Sequence, residues 1–313
     1  MKRVIMDTDP GIDDAAAILM TLGSPELDIE AMTTVFGNTP VENCTINALR
    51  ILEAADRTEI PVYEGSSRPY NCAEPVFAAL IHGDDGLGDA GVPMPSTAAQ
   101  PTNAVIELIN RVMTSPGEIT VMAIGRLTNV ALAMAVEPGF TEAVGEVIVM
   151  GGAVSVPGNA SPTASANLRG DPEAADVVYR SGANVVQIGL DVCEQVEISL
   201  AQQEELWAAD TKATRFMHLV SPFIQAAYER RGRLHHPGGV RYNDMPAVSY
   251  GIFPELFECR ELPVHIEIHG EHTRGMTVAN QREDPGEPTT AKVAFGVDAA
   301  RLTQLWVERV AAV

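Results

Sequence analysis

Four aspartates lie within eight residues near the start of the chain: Asp7, Asp9, Asp13 and Asp14. Because closely packed carboxylates repel one another, a proton, a cationic side chain or a hard metal ion must compensate their charge. Capping of a helix, which favours a negative charge at its positive end, would account for one or two of the four. The whole cluster instead indicates a site that binds a cation or carries out acid–base chemistry.

The residues around the cluster predict that it lies between a strand and a helix. The apolar run at 4–6 predicts a buried strand, Pro10-Gly11 predicts a turn, and the run at 15–20 predicts a helix. In an open α/β sheet, ligands bind beside the carboxyl ends of the strands, where such strand-to-helix loops meet. We therefore expect the aspartates at the ligand-binding edge of a sheet.

Strand-like and helix-like runs alternate through the first two-thirds of the chain. Five runs rich in Val, Ile and Met are typical of buried parallel strands: Val4–Met6, Ile29–Val35, Ile119–Ile124, Val147–Met150 and Val185–Leu190. The predicted helices between and after them are Asp13–Leu22, Val41–Ala55, Ala104–Met113, Thr128–Ala135 and Pro172–Arg180. This alternation predicts an α/β fold with a mostly parallel central sheet and helices on both faces.

The pattern changes in the last third of the chain. Two predicted helices, Leu200–Ala209 and Thr211–Arg231, lead into a turn-rich segment, Gly232–Met245. The remaining predicted elements are extended stretches at Val264–Ile268, Met276–Val278 and Lys292–Phe295 and a closing helix at Ala299–Val310. We find no linker, repeat or low-complexity tract, so we expect a single domain over residues 1–313.

The composition excludes some classes of partner. The formal net charge is −21, with only three lysines, so nucleic-acid polymers and anionic membranes are disfavoured by repulsion. Cations and small ligands that are neutral overall fit this surface better. We see no secretory leader and no apolar stretch long enough to cross a bilayer, and the four cysteines are scattered. We therefore expect a cytoplasmic protein with reduced thiols.

Several motifs resemble those of the inosine-uridine-preferring nucleoside hydrolases, which cleave the N-glycosidic bond of ribonucleosides with one bound calcium ion. The run Asp7–Ile18, Asp-Thr-Asp-Pro-Gly-Ile-Asp-Asp-Ala-Ala-Ala-Ile, resembles the amino-terminal motif of that family. Further matches follow in the same order over nearly the whole chain: Gly37-Asn38, Ile81-His82-Gly83, Gly125–Asn129, Val149–Gly152, Gly158-Asn159, Asn167, Asp171–Ala175 and Asp244–Val248. The resemblance implies a ribonucleoside hydrolase that yields free base and ribose.

The resemblance implies a calcium (Ca2+) site formed by Asp9, Asp14, Asp244 and the backbone carbonyl of Ile124. Calcium takes about six to eight oxygen ligands, so ribose hydroxyls and the attacking water would fill the remaining positions. Asp9 would be the general base, because a water bound to a metal ion is easier to deprotonate. The acidic pocket would also stabilise an oxocarbenium-like transition state, and Asp7 would support the cluster from behind.

Other residues would bind the sugar by the same resemblance. Asp13, Asn38 and Asn167 would hold the 2′- and 3′-hydroxyls. Asn159 would reach the 5′-hydroxyl, and Met150 would pack along the ring. A single loop asparagine often uses its side chain to stabilise a local turn. The sugar-binding interpretation therefore depends on all of these residues occurring in the order of the family motifs, and not on any one asparagine.

Two positions depart from the pattern of the family. Ser165 stands where the family has a glutamate that holds the 5′-hydroxyl, and serine is shorter and uncharged. This predicts a weaker grip on that hydroxyl, or room for a bulkier 5′ substituent. Asn243 stands where many relatives have a histidine that contacts or protonates the departing base. Asparagine can donate a hydrogen bond there but cannot deliver a proton near neutral pH.

The loss of that histidine leaves the proton donor for the departing base open. His82 is the first candidate, and its alternative role is to stabilise its loop by hydrogen bonding. His235 and His236 precede Asp244 in the turn-rich segment and could approach the base, although a solvated loop pair is the simpler interpretation. Tyr228 and Arg231 could line the base pocket, but such residues at a helix end are commonly ordinary surface.

Two other functions remain open at this level. Asp7-Thr8-Asp9 after a strand is also typical of haloacid-dehalogenase-like phosphatases. Against this, Gly11 stands where that family has Thr or Val, and no lysine lies between Lys2 and Lys212 to bind a phosphoryl group. A non-catalytic nucleoside or sugar sensor would explain the two departures but would not need Asp9. The resemblance also implies a small-molecule nucleoside partner and a homo-oligomer, dimer or tetramer, while the preferred base is not predicted.

Overall fold

The computed structural model describes every residue, 1–313, and contains ten strands. They are β1 (Lys2–Thr8), β2 (Leu27–Thr34), β3 (Val62–Glu64), β4 (Ile119–Ala123), β5 (Glu146–Met150), β6 (Val185–Ile188), β7 (Phe257–Leu262), β8 (Val264–Ile266), β9 (Thr277–Ala279) and β10 (Ala291–Val297).

Thirteen α-helices connect and cover the strands. They are α1 (Ile12–Leu22), α2 (Val41–Ala54), α3 (Ala79–His82), α4 (Ala104–Thr114), α5 (Thr128–Val136), α6 (Phe140–Ala143), α7 (Ala166–Gly170), α8 (Pro172–Arg180), α9 (Leu190–Cys193), α10 (Leu200–Ala208), α11 (Lys212–Arg230), α12 (Met245–Ile252) and α13 (Ala299–Ala311). A short 3-10 helix spans Pro254–Leu256. None of the helices is long and apolar enough to cross a membrane.

Eight of the strands form one sheet in the order β3-β2-β1-β4-β5-β6-β10-β7. Every neighbouring pair in this sheet is parallel except β10 and β7, which are antiparallel. The two remaining strands, β8 and β9, form a separate antiparallel pair. The predicted α/β fold with a mostly parallel sheet is therefore confirmed.

Two apolar cores lie on opposite faces of the sheet. Val4 and Met6 of β1 belong to one core and Ile5 to the other, because successive side chains of a strand point to opposite faces. The first core also takes in α1, α11, α12 and α13, and the second takes in α4, α5 and α8. Burial on both faces explains why the central strands are almost purely apolar, and it confirms helices on both sides.

The predicted bounds of helices and strands agree best with the structure where apolar residues are continuous or strictly periodic. Helix α8 begins and ends as predicted, and the five predicted parallel strands are all present. The edge strands β3 and β7 were not predicted, because β3 has three residues and β7 is half charged. Charged edge strands carry little of the apolar pattern that identifies central ones. Helix α12 was also missed, since it begins where the predicted turn-rich segment ends.

The parallel arrangement positions the functional residues. The carboxyl ends of parallel strands meet at one edge of the sheet. Asp9 follows β1, Asn38 lies beyond the end of β2, Ile124 follows β4, and Met150 is the last residue of β5. These residues therefore converge on the same edge although they are far apart in the chain.

Candidate active site

A cavity of about 680 Å³ lies at this edge of the sheet. Ten of the predicted site residues line it: Asp9, Asp13, Asn38, His82, Ile124, Met150, Asn159, Asn167, Asn243 and Asp244. Asp14 is fully buried directly beneath the wall, where Asn38 contacts it. The structure thus brings together nearly all of the residues that the sequence proposed, with Ser165 as the exception.

Three buried carboxylates form the centre of the site. Oxygen atoms of Asp13, Asp14 and Asp244 all lie within 4.8 Å of one another. Burial is the main cause that raises the pKa of Asp13 and of Asp14 to about 6. Asp13 Oδ1 is buried without a hydrogen-bond partner. Since such a group is costly to bury uncompensated, the cluster has the chemistry of a site that could hold a hard metal ion.

The predicted ligand set of Asp9, Asp14, Asp244 and the Ile124 carbonyl stays a prediction. The structure adds that Asp13 lies as close to Asp14 and Asp244 as these two lie to each other, within 4.8 Å. Asp9 lies beside this group, and its Oδ2 accepts a hydrogen bond of 2.8 Å from the backbone N–H of Asn38. Burial, followed by the neighbouring Asp14 carboxylate, raises the pKa of Asp9. The turn at residues 10–11 separates Asp9 from helix α1, which carries Asp13 and Asp14.

Asn38 connects the two halves of the aspartate motif. Its Nδ2 donates to the backbone carbonyl of Asp9 at 3.1 Å and to Asp14 Oδ2 at 2.9 Å. Asp14 also accepts from Thr8 Oγ1 at 2.6 Å and from the backbone N–H of Gly11 at 2.9 Å. Asn38 thus positions the carboxylates, and its predicted contact with the ribose stays a prediction.

Asp7 lies behind the cavity, as the supporting role predicted for it requires. It is fully buried, and its Oδ1 accepts from Thr33 Oγ1 at 2.6 Å and from Asn129 Nδ2 at 2.8 Å. Burial raises the pKa of Asp7 to about 7. Asn129 also donates to the carbonyl of Thr34 at 2.9 Å, so this network ties β1 to β2 beneath the site.

The carbonyl of Ile124 is held by Asn167. Asn167 Nδ2 donates to this carbonyl at 2.6 Å and to the carbonyl of Met150 at 3.1 Å. A carbonyl oxygen has two lone pairs, so Ile124 keeps one for a cation while it accepts from the asparagine. Asn159 is exposed at the cavity, and its Oδ1 accepts from the backbone N–H of Ala166 at 2.8 Å.

His82 is buried beside the first turn of helix α1. Its Nδ1 accepts a hydrogen bond of 3.2 Å from the backbone N–H of Ile12, and its Nε2 lies 3.7 Å from Asp13 Oδ1. Burial lowers the pKa of His82 to about 4. The ring is therefore neutral near pH 7. The separation of 3.7 Å between Nε2 and Asp13 is too long for a hydrogen bond, and the role of His82 as the leaving-group acid stays a prediction.

The other side of the cavity carries Asn243 and Tyr228. Asn243 Nδ2 donates to the Tyr228 hydroxyl at 2.8 Å, and both side chains line the cavity. Burial raises the pKa of Tyr228, so the hydroxyl keeps its proton. Arg231 lines the same cavity, whereas His235 and His236 are exposed and do not. A role for these two histidines in the site is thus not supported.

Ser165 does not face the cavity, contrary to the sequence-based expectation. It is fully buried, and its Oγ accepts a hydrogen bond of 2.7 Å from the backbone N–H of Gly152. The short side chain therefore reaches the neighbouring loop rather than the position of a 5′-hydroxyl. Ser165 shapes the wall that carries Met150 and Asn167 instead of contacting a sugar directly.

Two buried arginines of the cavity wall, Arg126 and Arg241, were not identified from the sequence. Arg126 is 6% exposed, lies over the Phe36 ring at 4.5 Å and donates to the carbonyls of Gly37 and Val76. Arg241 is 3% exposed and lies near Glu197. The only signal for Arg126 is its place inside the motif Gly125–Asn129. Nothing in the sequence near Arg241 shows that its charge is buried.

Replacing Gly37 with alanine should disrupt the site. The φ angle of Gly37 is not in the left-handed region, but an added Cβ would overlap the carboxylate of Asp9. We expect Gly37→Ala to lose most of its activity and to melt at a lower temperature, because a buried overlap forces backbone shifts. Gly139→Ala, whose Cβ would meet the flexible end of Met113 at 3.1 Å, is the matched control. Equal activity and melting of the two variants would contradict this placement of Asp9.

The chain is similar to known proteins in both sequence and structure. The family model described as inosine-uridine preferring nucleoside hydrolase matches residues 4–304. A protein of Arabidopsis thaliana named probable uridine nucleosidase 2 is 36% identical over 98% of this chain and 97% of its own length. The solved structure of a plant nucleoside hydrolase, the PpNRh1 enzyme, superimposes with a TM-score of 0.93 at 36% identity, covering 100% of this chain and 99% of that one. A purine-preferring ribonucleoside hydrolase from Gardnerella vaginalis superimposes with a TM-score of 0.93 at 32% identity, covering 99% and 98%.

Proposed function

Because the chain belongs to the inosine-uridine preferring nucleoside hydrolase family, we propose that it hydrolyses ribonucleosides by a calcium-dependent attack of water with Asp9 as general base. Family membership makes it an N-glycosyl hydrolase, so the phosphatase and the non-catalytic sensor are not retained. The observation that carries the proposal is the trio of buried carboxylates, Asp13, Asp14 and Asp244, at the wall of the cavity with Asp9 beside it.

The residues of the cluster fit a calcium ion. Asp9, Asp14, Asp244 and the Ile124 carbonyl would hold it, with Asp13 nearby, because hard oxygen donors suit calcium. The unpartnered Oδ1 of Asp13 supports a cation at this point. When bound, the ion would lower the pKa of the attacking water and fix the ribose diol.

Asp9 is suited to accept the proton of the water. Its carboxylate is held by the backbone N–H of Asn38, so the second oxygen is free to point into the cavity. Burial and the nearby Asp14 raise the pKa of Asp9, which makes it a stronger base than an exposed aspartate. Water then adds to C1′ while the carboxylates stabilise the positive charge that develops on the sugar.

The remaining residues orient the nucleoside. Asp13 and Asn167 would bind the 2′- and 3′-hydroxyls, Asn159 would approach the 5′-hydroxyl, and Met150 would pack against the ring, since all four line the cavity. The base would lie towards Tyr228 and Asn243. One relative is named a probable uridine nucleosidase and another a purine-preferring ribonucleoside hydrolase, so the relatives do not single out one base for this chain.

We also propose that the enzyme acts in the cytoplasm, as a single domain that assembles into a homo-oligomer. All four cysteines are free, and two of them, Cys44 and Cys193, are buried, which suits a reducing compartment. The net charge of −21 favours a small nucleoside over a nucleic-acid polymer as the partner. Size-exclusion chromatography with light scattering would test the dimer or tetramer.

A panel of nucleosides tests the proposed reaction. Ribonucleosides should release free base and ribose, whereas 2′-deoxyribonucleosides should show kcat/KM lower by about 10²-fold or more, because a site built to bind a hydroxyl is left unpaired without it. Base release measured for purine, pyrimidine and 5′-modified members would also define the preferred substrate. Equal rates with the 2′-deoxy compounds, or phosphate release without base release, would contradict the proposal.

A further inference from the structure

The side chain of Arg241 is buried in the cavity wall with unfilled hydrogen-bond donors. It lines the cavity together with Tyr228 and Asn243 and is 3% exposed. Its Nε and Nη2 have no hydrogen-bond partner. A guanidinium remains charged throughout the working pH range, and a buried charge without acceptors is costly. A negatively charged ligand in the cavity would offset that cost.

The one ion-pair partner of Arg241 cannot satisfy it. Glu197 Oε2 lies 3.7 Å from Arg241 Nη2, which is too long for a hydrogen bond. Glu197 already accepts from the backbone N–H groups of His235 and His236, each at 2.8 Å. Glu197 therefore serves the loop that precedes Arg241, and it compensates the guanidinium only at a distance.

Arg241 differs in this respect from the other arginines of the cavity wall. Arg233 is paired with Glu194, Arg274 is paired with Glu173, and Arg126 donates to two backbone carbonyls through Nη2, while its Nη1 has no partner. Arg169 and Arg231 are exposed to solvent. Arg241 is thus the buried arginine of this wall whose side chain donates no hydrogen bond within the protein.

The departing base has the chemistry that this cation would recognise. When the C1′–N bond breaks, its electron pair stays on the base, which becomes an anion. The carboxylates around Asp13 repel that anion, and Asn243 cannot protonate it. Resting on the function proposed above, we propose that the positive charge of Arg241 stabilises the departing nucleobase as an anion.

The step balances without a protein acid. The oxygen of water bonds to C1′, and the proton of that water goes to Asp9. The base leaves as an anion paired with Arg241, and it takes up a proton from solvent while Asp9 returns one. The products are ribose and the neutral base. Arg241 is therefore a catalytic residue on the leaving-group side, opposite in charge to the aspartates on the sugar side.

Leaving groups of different acidity test this role. We would compare Arg241→Met and Arg241→Lys with the unchanged enzyme on uridine (inosine if purines are preferred), the matching 5′-deoxynucleoside and 4-nitrophenyl riboside. The 4-nitrophenolate ion is stable and leaves without assistance. Arg241→Met should lower kcat for both nucleosides by about 10²- to 10³-fold, as for other donors to a developing anion, while the aryl riboside keeps its rate. Arg241→Lys, which retains the charge, should recover part of the loss.

Other outcomes would overturn the role of Arg241. Equal loss on all three ribosides would indicate a purely structural residue. Loss on the two ribosides that carry a 5′-hydroxyl, but not on the 5′-deoxynucleoside, would indicate a contact to that hydroxyl. Thermal melting of each variant detects misfolding, and Arg241→Lys carries the comparison if Arg241→Met does not fold. Failure of the unchanged enzyme to hydrolyse any riboside would instead refute the proposed function, so the two ideas fail separately.

Discussion

Asp9→Asn should lower kcat by about 10²- to 10⁴-fold, the usual contribution of a positioned general base. Asparagine has the same shape and can still accept the hydrogen bond from the Asn38 backbone N–H, so the loop should remain in place. What is lost is the ability to take the proton of the attacking water. The measurement is kcat for base release from the best ribonucleoside, with calcium in excess.

A matched substitution separates this chemistry from a general change of charge. Asp28 is an exposed aspartate on β2, away from the cavity, so Asp28→Asn should have the activity of the unchanged enzyme. The melting temperature of Asp9→Asn should stay close to that of Asp28→Asn or rise, because a buried carboxylate is removed. A kcat for Asp9→Asn within a few-fold of the control would show that another group is the base.

Removal of calcium should abolish turnover and lower the thermal stability of the protein. An ion that binds only the folded state stabilises it by about 2.7 kcal/mol at a concentration a hundred times its Kd. We expect exhaustive chelation to lower the melting temperature and added calcium to restore both the melting temperature and base release. Asp244→Asn should lose this response, since Asp244 is one of the three closest carboxylates. Full activity of the chelated enzyme would contradict the mechanism.

The calcium effect should grow as the pH rises. Burial raises the pKa of Asp13 and Asp14 to about 6, above the value of about 4 expected in the unfolded chain. The folded, metal-free protein thus binds more protons than the unfolded chain. Its stability from these groups is fully present below about pH 4 and is lost as the pH rises through about 6. Melting curves at pH 5 and pH 8 should therefore differ more without calcium than with it, and Asp13→Asn should reduce that difference.

Elements with continuous or periodic apolar residues could be predicted from the sequence. The central strands are buried on both faces, so almost every residue in them is apolar, and α8 has Asp171 as its N-cap and Pro172 in its first turn. The strands β3 and β7 could not be recognised, because an edge strand pairs on one side only and tolerates charges such as Glu258 and Arg260. Their position depends on a neighbouring strand, which no local pattern contains.

Part of the site is formed by residues that are adjacent in the chain, as the aspartate motif shows. Asp9, Asp13 and Asp14 are brought together by a strand end, a turn at Pro10-Gly11 and the first turn of α1, all of which follow from adjacent residues. Family resemblance added Asp244, more than two hundred residues away. The structure adds Asp13 to Asp14 and Asp244 as a close trio of carboxylates and places the Ser165 side chain away from the cavity. Both outcomes depend on side-chain directions that residue types alone do not specify.

Three features of this protein follow from its amino-acid sequence alone: a mostly parallel α/β sheet, an acidic motif at the end of the first strand, and membership of a nucleoside hydrolase family. Local propensity, apolar periodicity and ordered motifs are sufficient to predict them. Three other features depend on the folded structure: which carboxylates meet, the lowered pKa of His82, and the burial of Arg241 with unfilled donors. Burial and the distance between charges set these properties, and both arise from packing between segments that are remote in the chain.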